Sequence, residues 1–141
     1  MAQSRRRVAR DEVTTPQDPA DLARSCACAL DDKKAENIVV LDLRKLSQVA
    51  DYFVIANGSN PRQLQAMGRA VQDTMKGVGA RPIGVEGAHQ DRWVLLDYGD
   101  VVVHLFDPEW RLLYDLELLW GDAPRLKWEK PPRRRTPKSA K

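Results

Sequence analysis

The segment from Tyr52 to Val78 limits the fold more than any other part of this 141-residue chain. Tyr52-Phe53-Val54-Ile55-Ala56 is a continuous apolar run of strand length, and Asn57-Gly58-Ser59-Asn60-Pro61 breaks it. Leu64, Met67, Val71, Met75 and Val78 then recur at steps of three and four, the spacing of one helix face. Ser59 or Asn60 can cap that helix, Pro61 can open it, and Gly77 or Gly79 can end it. Pro82 to Glu86 offers a short strand beyond. Strand, helix and strand in succession call for a parallel, right-handed crossover. A run that is apolar at every position suits a strand covered on both faces. The chain therefore has to build a sheet with a helix laid across it.

The flanking segments extend this layer. Asp18-Pro19 pairs a cap with a proline at the first helical position, and Leu22, Cys26 and Leu30, with Ala23, Ala27 and Ala29 around them, form an apolar stripe. Lys33 and Lys34 close its last turn, where cations suit the dipole. Ile38 to Leu43 reads as another nearly continuous, hence central, strand. Trp93 to Asp97 and Val101 to Phe106 are joined by Asp97-Tyr98-Gly99-Asp100, a hairpin turn that adds an antiparallel edge. After Asp107-Pro108, Leu112, Leu113, Leu116, Leu119 and Trp120 predict a last helix, or helical turns, packing back on the sheet, with Tyr114 helping to seal the domain. The expectation is one α/β domain over residues 18–124. It is a small mixed β-sheet flanked by helices, in the order αββαβββα.

Charge is unevenly placed. The net +3 averages four arginines and no acid in residues 1–10, eight Lys/Arg against one Glu in residues 125–141, and 11 basic against 19 acidic residues between them. Residues 1–17 and 125–141 read as disordered basic tails, too polar to offset their ordering entropy. The acidic body repels phosphate and makes a poor general nucleic-acid binder, whereas the tails attract phosphate. No apolar run approaches the roughly 18 residues of a membrane span, and no apolar segment follows the basic start, so a membrane or secretory reading is not expected. Cys26 and Cys28, one residue apart, frame neither a useful disulfide loop nor a zinc site, which points to a reducing, cytoplasmic setting.

Few residues suggest catalysis. Gly58-Ser59, between strand and helix, could receive a phosphate at a helix N-terminus or could simply turn and cap. A metal-dependent nucleotidyl transferase would carry a carboxylate pair about ten residues further on, where Arg69, Ala70 and Val71 stand. Asp97 and Asp100 read as turn residues. Of the two histidines, His89 lies in a polar run, and His104 lies in VVVHLF, where a buried structural role is the default and a catalytic base the alternative. Trp93 is either a core residue or an interface anchor. Alternation sets Trp93, Leu95 and Asp97 on one face and Val94, Leu96 and Tyr98 on the other.

Three blocks together resemble the ribosomal silencing factor (Iojap-like) family over roughly residues 20–122. They are Asp51 to Gln63, then Gly84-Val85-Glu86-Gly87 with Trp93 to His104, then Arg111-x-x-Tyr114-x-Leu116-Glu117-x-Leu119-Trp120. The resemblance implies a small α/β fold related to nucleotidyl transferases, often homodimeric, without catalysis or cofactor. It implies a translation regulator that binds the large ribosomal subunit through a ribosomal protein on the subunit-joining face and obstructs the small subunit. The family's contact surface maps onto Trp93 and Val94; motif position extends the expected patch to Glu86, Asp97, Tyr98 and His104. The basic tails fall outside the family pattern, which leaves contact with ribosomal RNA open. The competing reading is a nucleotide-handling transferase using the Gly58-Ser59 loop.

Overall fold

The structure, a computed structural model, describes residues 18–87 and 92–129. The elements in chain order are α1 (Pro19–Asp32), β1 (Glu36–Asp42), β2 (Tyr52–Asn57), α2 (Pro61–Gly77), β3 (Gly84–Glu86), β4 (Trp93–Asp97), β5 (Val101–Phe106), α3 (Pro108–Tyr114) and α4 (Leu116–Leu119). This is the expected order, except that two short helices replace the single last one. His89 and most of both tails lie outside the described residues.

Local signals set the helix starts. The Asp18 carboxylate accepts from the Ala20 N–H, Asn60 Oδ1 from Gln63 N–H and Asp107 Oδ1 from Trp110 N–H, each ahead of a proline. In α2, Leu64, Met67, Val71 and Met75 are fully buried, as their spacing predicts. Asp115 breaks the last helical segment. Its φ of 44° ends α3, and its carboxylate accepts from Leu118 N–H to cap α4.

The five strands form one mixed sheet in the order β1-β2-β5-β4-β3. β2 pairs with β5 in parallel, Ile55 opposite His104, and the other pairings are antiparallel. β3 thus runs in the direction of β2, as the crossover requires, but β5 and β4 lie between them. The β4–β5 hairpin is therefore not the edge. All six residues of β5 are buried, so its run of apolar side chains takes the centre, and the three-residue β3 takes the edge. β1, expected in the centre, forms the opposite edge. A bulge between Glu36 and Val39, with Asn37 at φ 53°, ends regular pairing there.

The two faces are covered unequally. α1 and α2 pack together on one face, burying Val40, Val54, Val94, Leu96, Val103 and Leu105 with Cys26, Leu30 and Met67. On the other face, among the described residues, Trp110, Leu116 and Trp120, from α3, α4 and the turn after them, pack against a smaller cluster of Leu41, Leu43, Ile55, Phe106 and Ala123.

The chain after α4 closes the β1 edge. Asp42 N–H donates to Pro124 O at 2.8 Å, Leu126 N–H donates to Val40 O at 2.8 Å, and Leu41 bridges Arg125. Trp128 Nε1 donates to Ile38 O at 3.3 Å, Cys28 Sγ donates to Trp128 O, and Arg24 Nε donates to Lys127 O. Residues 125–129 are thus a strap on the domain and not part of a tail, which moves the expected boundary at residue 124. The strap satisfies edge groups that would otherwise invite strand pairing.

Arg111 ties the thin face together. Its side chain is 8% exposed and reaches Glu117 bidentately at 2.9 and 3.0 Å, Asn57 Oδ1 at 2.9 Å, and Asn37 O in the β1 bulge. These bonds hold the Glu117 carboxyl below its ordinary pKa.

Three outcomes follow for stability. Trp128→Ala should cost about 1–3 kcal/mol in urea unfolding, less than the loss of a fully buried tryptophan, and an unchanged midpoint would show the strap to be idle. Arg111→Ala should cost about 3 kcal/mol by stranding Glu117 and Asn57. Because the folded-state pKa of Glu117 is depressed, its contribution is complete above about 4.5, the unperturbed value, and is lost as pH falls through the folded value. The stability gap between wild type and Glu117→Gln should therefore narrow in acid.

Candidate functional site

The Gly58-Ser59 loop is filled by the protein itself. Ser59 N–H and Ser59 Oγ both donate to Gln63 Oε1, at 2.6 and 3.0 Å, and Gln63 Nε2 donates to the carbonyls of Lys33 and Lys34. The donors that could hold a phosphate thus hold a side-chain amide, which pins α2 to the end of α1. Gly58 is required for packing: a Cβ there would lie 2.9 Å from Leu64 Cδ2 and 3.0 Å from Met67 Sδ. The loop's turn-and-cap role accounts for each of these contacts.

Other candidates are also explained locally. Asp97 Oδ1 accepts from Gly99 N–H at 2.8 Å, and Asp100 O accepts from Asp51 and Tyr52 N–H. Among the described residues no group of three or more His, Cys, Asp or Glu side chains could hold a metal. Cys26 is buried, and burial pushes its thiol up to about 12, as for a packing residue and not a nucleophile.

Sheet register now divides the expected patch. Trp93, His104, Asp97 and Glu86 project from the thinly covered face: Glu86 pairs with Leu95, Leu95 with His104, Asp97 with Val102, and Trp93 with Phe106. Val94 and Tyr98 point the other way, into the core beneath α1 and α2, at 2% and 8% exposure. Neither offers a surface to a partner unless the core opens. Burial also pushes the Tyr98 hydroxyl up to about 12.

An aromatic cluster occupies the thin face. The half-buried Trp93 ring lies 5.0 Å from Phe106, 4.8 Å from Tyr114 and 6.0 Å from His104. Its Nε1 donates to His104 Nδ1 at 3.3 Å. Phe53 meets His104 edge-on at 4.5 Å and Trp120 at 6.1 Å. Trp110 extends the cluster to Arg92, whose guanidinium sits 5.7 Å above its ring and pairs with Asp107 and Glu109. His104 is buried, and burial lowers its pKa to about 4, so the ring is neutral near pH 7. This bears out the default reading of a buried histidine, and at 5% exposure His104, like Val94 and Tyr98, offers a partner almost no surface, against its place in the expected patch.

Beside the cluster stands an apolar ridge. Leu112, Leu113, Leu118 and Leu119 are each at least 70% exposed, and Tyr114 is 44% exposed. Leu112, Leu113 and Leu119, expected to pack inward, face outward instead, because the break at Asp115 re-aims the chain; of the residues expected against the sheet, Leu116 and Trp120 remain there. The segment 107–122 carries Asp107, Glu109, Asp115, Glu117 and Asp122 against one Arg, so the ridge has an acidic rim. Exposed apolar surface of this kind marks an interaction site. Sequence reasoning gave Arg111 no role, although an arginine amid helix-spaced leucines, with a glutamate six residues on, was a signal for the buried pair that shapes the ridge.

Comparison with known proteins identifies the family. The family model described as ribosomal silencing factor during starvation (RsfS) matches residues 16–141, so the basic C-terminal segment 125–141, expected outside the family pattern, lies within the match. Ribosomal silencing factor RsfS of Bacillus subtilis is 47% identical over 103 residues, which span 73% of this chain and 87% of the relative. A mouse relative named mitochondrial assembly of ribosomal large subunit protein 1 is 35% identical over 94 residues, 64% of this chain and 41% of that protein. A crystal structure of a Chromobacterium violaceum protein superposes with a TM-score of 0.72 at 36% identity, covering 82% of this chain and 91% of that one. By profile, sequence and fold, the chain belongs to the ribosomal silencing factor family.

Proposed function

We propose that this protein docks on a ribosomal protein at the joining face of the large ribosomal subunit and sterically keeps the small subunit away, lowering translation. The observation that carries this reading is the thinly covered sheet face. There Trp93 is continuous through Tyr114 with the exposed leucines of α3 and α4, inside an acidic rim. Ribosomal proteins are generally basic, so the rim and the acidic body favour such a partner by charge complementarity. The names of the relatives point to the ribosome and, for the mouse protein, to its large subunit.

The mechanism needs shape alone. A domain of this size has a radius of gyration of about 13 Å, and a standard contact buries about 800 Å² on each partner. A body of that bulk on a flat joining surface prevents close approach of the other subunit. In this reading Trp93 and the leucines anchor the contact, and Glu86 and Asp97 lie at its polar margin. The protein acts in the cytoplasm without enzymatic activity or cofactor. The basic ends add a salt-sensitive grip on nearby ribosomal RNA, and homodimerisation would compete for the same apolar face.

Purified subunits mixed with the protein and resolved on a density gradient test the proposal. Joined ribosomes should decline as protein is added; unchanged joining at saturation would defeat it. Trp93→Ala should weaken large-subunit binding about 30-fold, the effect of losing a hot-spot tryptophan. Leu118→Glu changes an exposed residue, so its unfolding should match wild type while its binding falls about tenfold. Wild-type affinity for Leu118→Glu would remove the ridge from the site.

A further inference from the structure

We infer that His104 is the positioning residue for Trp93, fixing the indole in its docking orientation before any partner arrives. The inference rests on the proposed role of Trp93 as an anchor.

The argument begins with what His104 costs. It sits on the central strand, opposite Ile55 of β2 and Leu95 of β4, with Phe53 edge-on and Phe106 stacked at 7°. Ile55, Leu95, Phe53 and Phe106 are all apolar. Nδ1 accepts the Trp93 N–H, so in the neutral ring the proton is on Nε2. Nε2 is buried and has no hydrogen-bond partner among the described residues. A buried donor without an acceptor destabilises a fold, and a phenylalanine would fill this place without that penalty. The position thus keeps an unfavourable group, and among the described residues the one side-chain hydrogen bond that group makes is with Trp93.

That contact does what an anchor requires. Indole N–H is donor only. On a half-exposed tryptophan it could turn to water, and the ring would populate several rotamers. Freezing such a side chain on docking costs affinity, and pre-organisation removes the cost. His104 Nδ1 holds one edge of the indole while the tilted rings of Phe106 and Tyr114 pack against it. The deep burial of His104 supports this, because it keeps the ring neutral and Nδ1 able to accept.

The test compares His104→Phe, Trp93→Phe and the double variant, measuring thermal unfolding and affinity for purified large subunits. His104→Phe should melt above wild type, because the orphaned N–H is gone, yet bind about three- to tenfold more weakly. Trp93→Phe has no N–H to position, so adding His104→Phe to it should cause no further loss of binding. A His104→Phe protein with wild-type affinity, or an equal loss in both backgrounds, would overturn the inference while leaving Trp93 as an anchor. Wild-type affinity for Trp93→Phe and for Trp93→Ala would instead defeat the docking reading itself. Independently of any variant's folding, the indole N–H of Trp93 in the wild-type protein should exchange with solvent slowly; exchange at the rate of an exposed indole would also overturn the inference.

Discussion

The parallel pairing of β2 with β5 is the constraint on which the other features depend. It joins residues 52–57 to residues 101–106, so the chain must complete α2, β3 and β4 before the sheet can close. It also places the most thoroughly buried strand at the centre, with every side chain covered from above or below. His104 faces one side because Val103 and Leu105 face the other. The aromatic cluster and the apolar core are thus two sides of one strand.

The unequal layers follow from helix length. α1 and α2, of 14 and 17 residues, can span the sheet and bury one face fully. α3 and α4, of 7 and 4 residues, cannot, and the break at Asp115 prevents them from joining into a helix that could. What holds this short pair is polar: Arg111, surrounded by Asn57, Glu117 and a backbone carbonyl of the β1 bulge. A buried ion pair contributes modestly to net stability, but its geometry specifies one arrangement. Here that arrangement turns leucines outward and leaves a tryptophan half covered. The surface so produced suits recognition better than stability.

Much of this was legible in the sequence where the signal is local. Asp18, Asn60 and Asp107, each followed by proline, marked three helix starts because capping involves only neighbouring atoms. Alternation in 93–98 separated Trp93 from Val94 because strand geometry leaves no choice. Strand order was less legible, since pairing of β5 with β2 rather than at an edge depends on residues some fifty positions apart. The centrality expected of β1 failed at Asn37, whose positive φ no periodicity reveals. The strap was missed because composition averages over a segment, and a single Trp128 in a basic, proline-rich stretch is enough to fasten it. The outward leucines were misjudged because spacing predicts a face only while the helix continues, and Asp115 ends it.

The strap also fixes a direction. It starts beside the aromatic side of the sheet at Ala123 and ends against the helical side at Trp128, passing round the β1 edge. The described chain therefore reaches Glu129 at the back of the domain, away from Trp93. A dye or bead coupled at residue 129 itself would sit behind the domain, and a sample immobilised there would present its aromatic side outward.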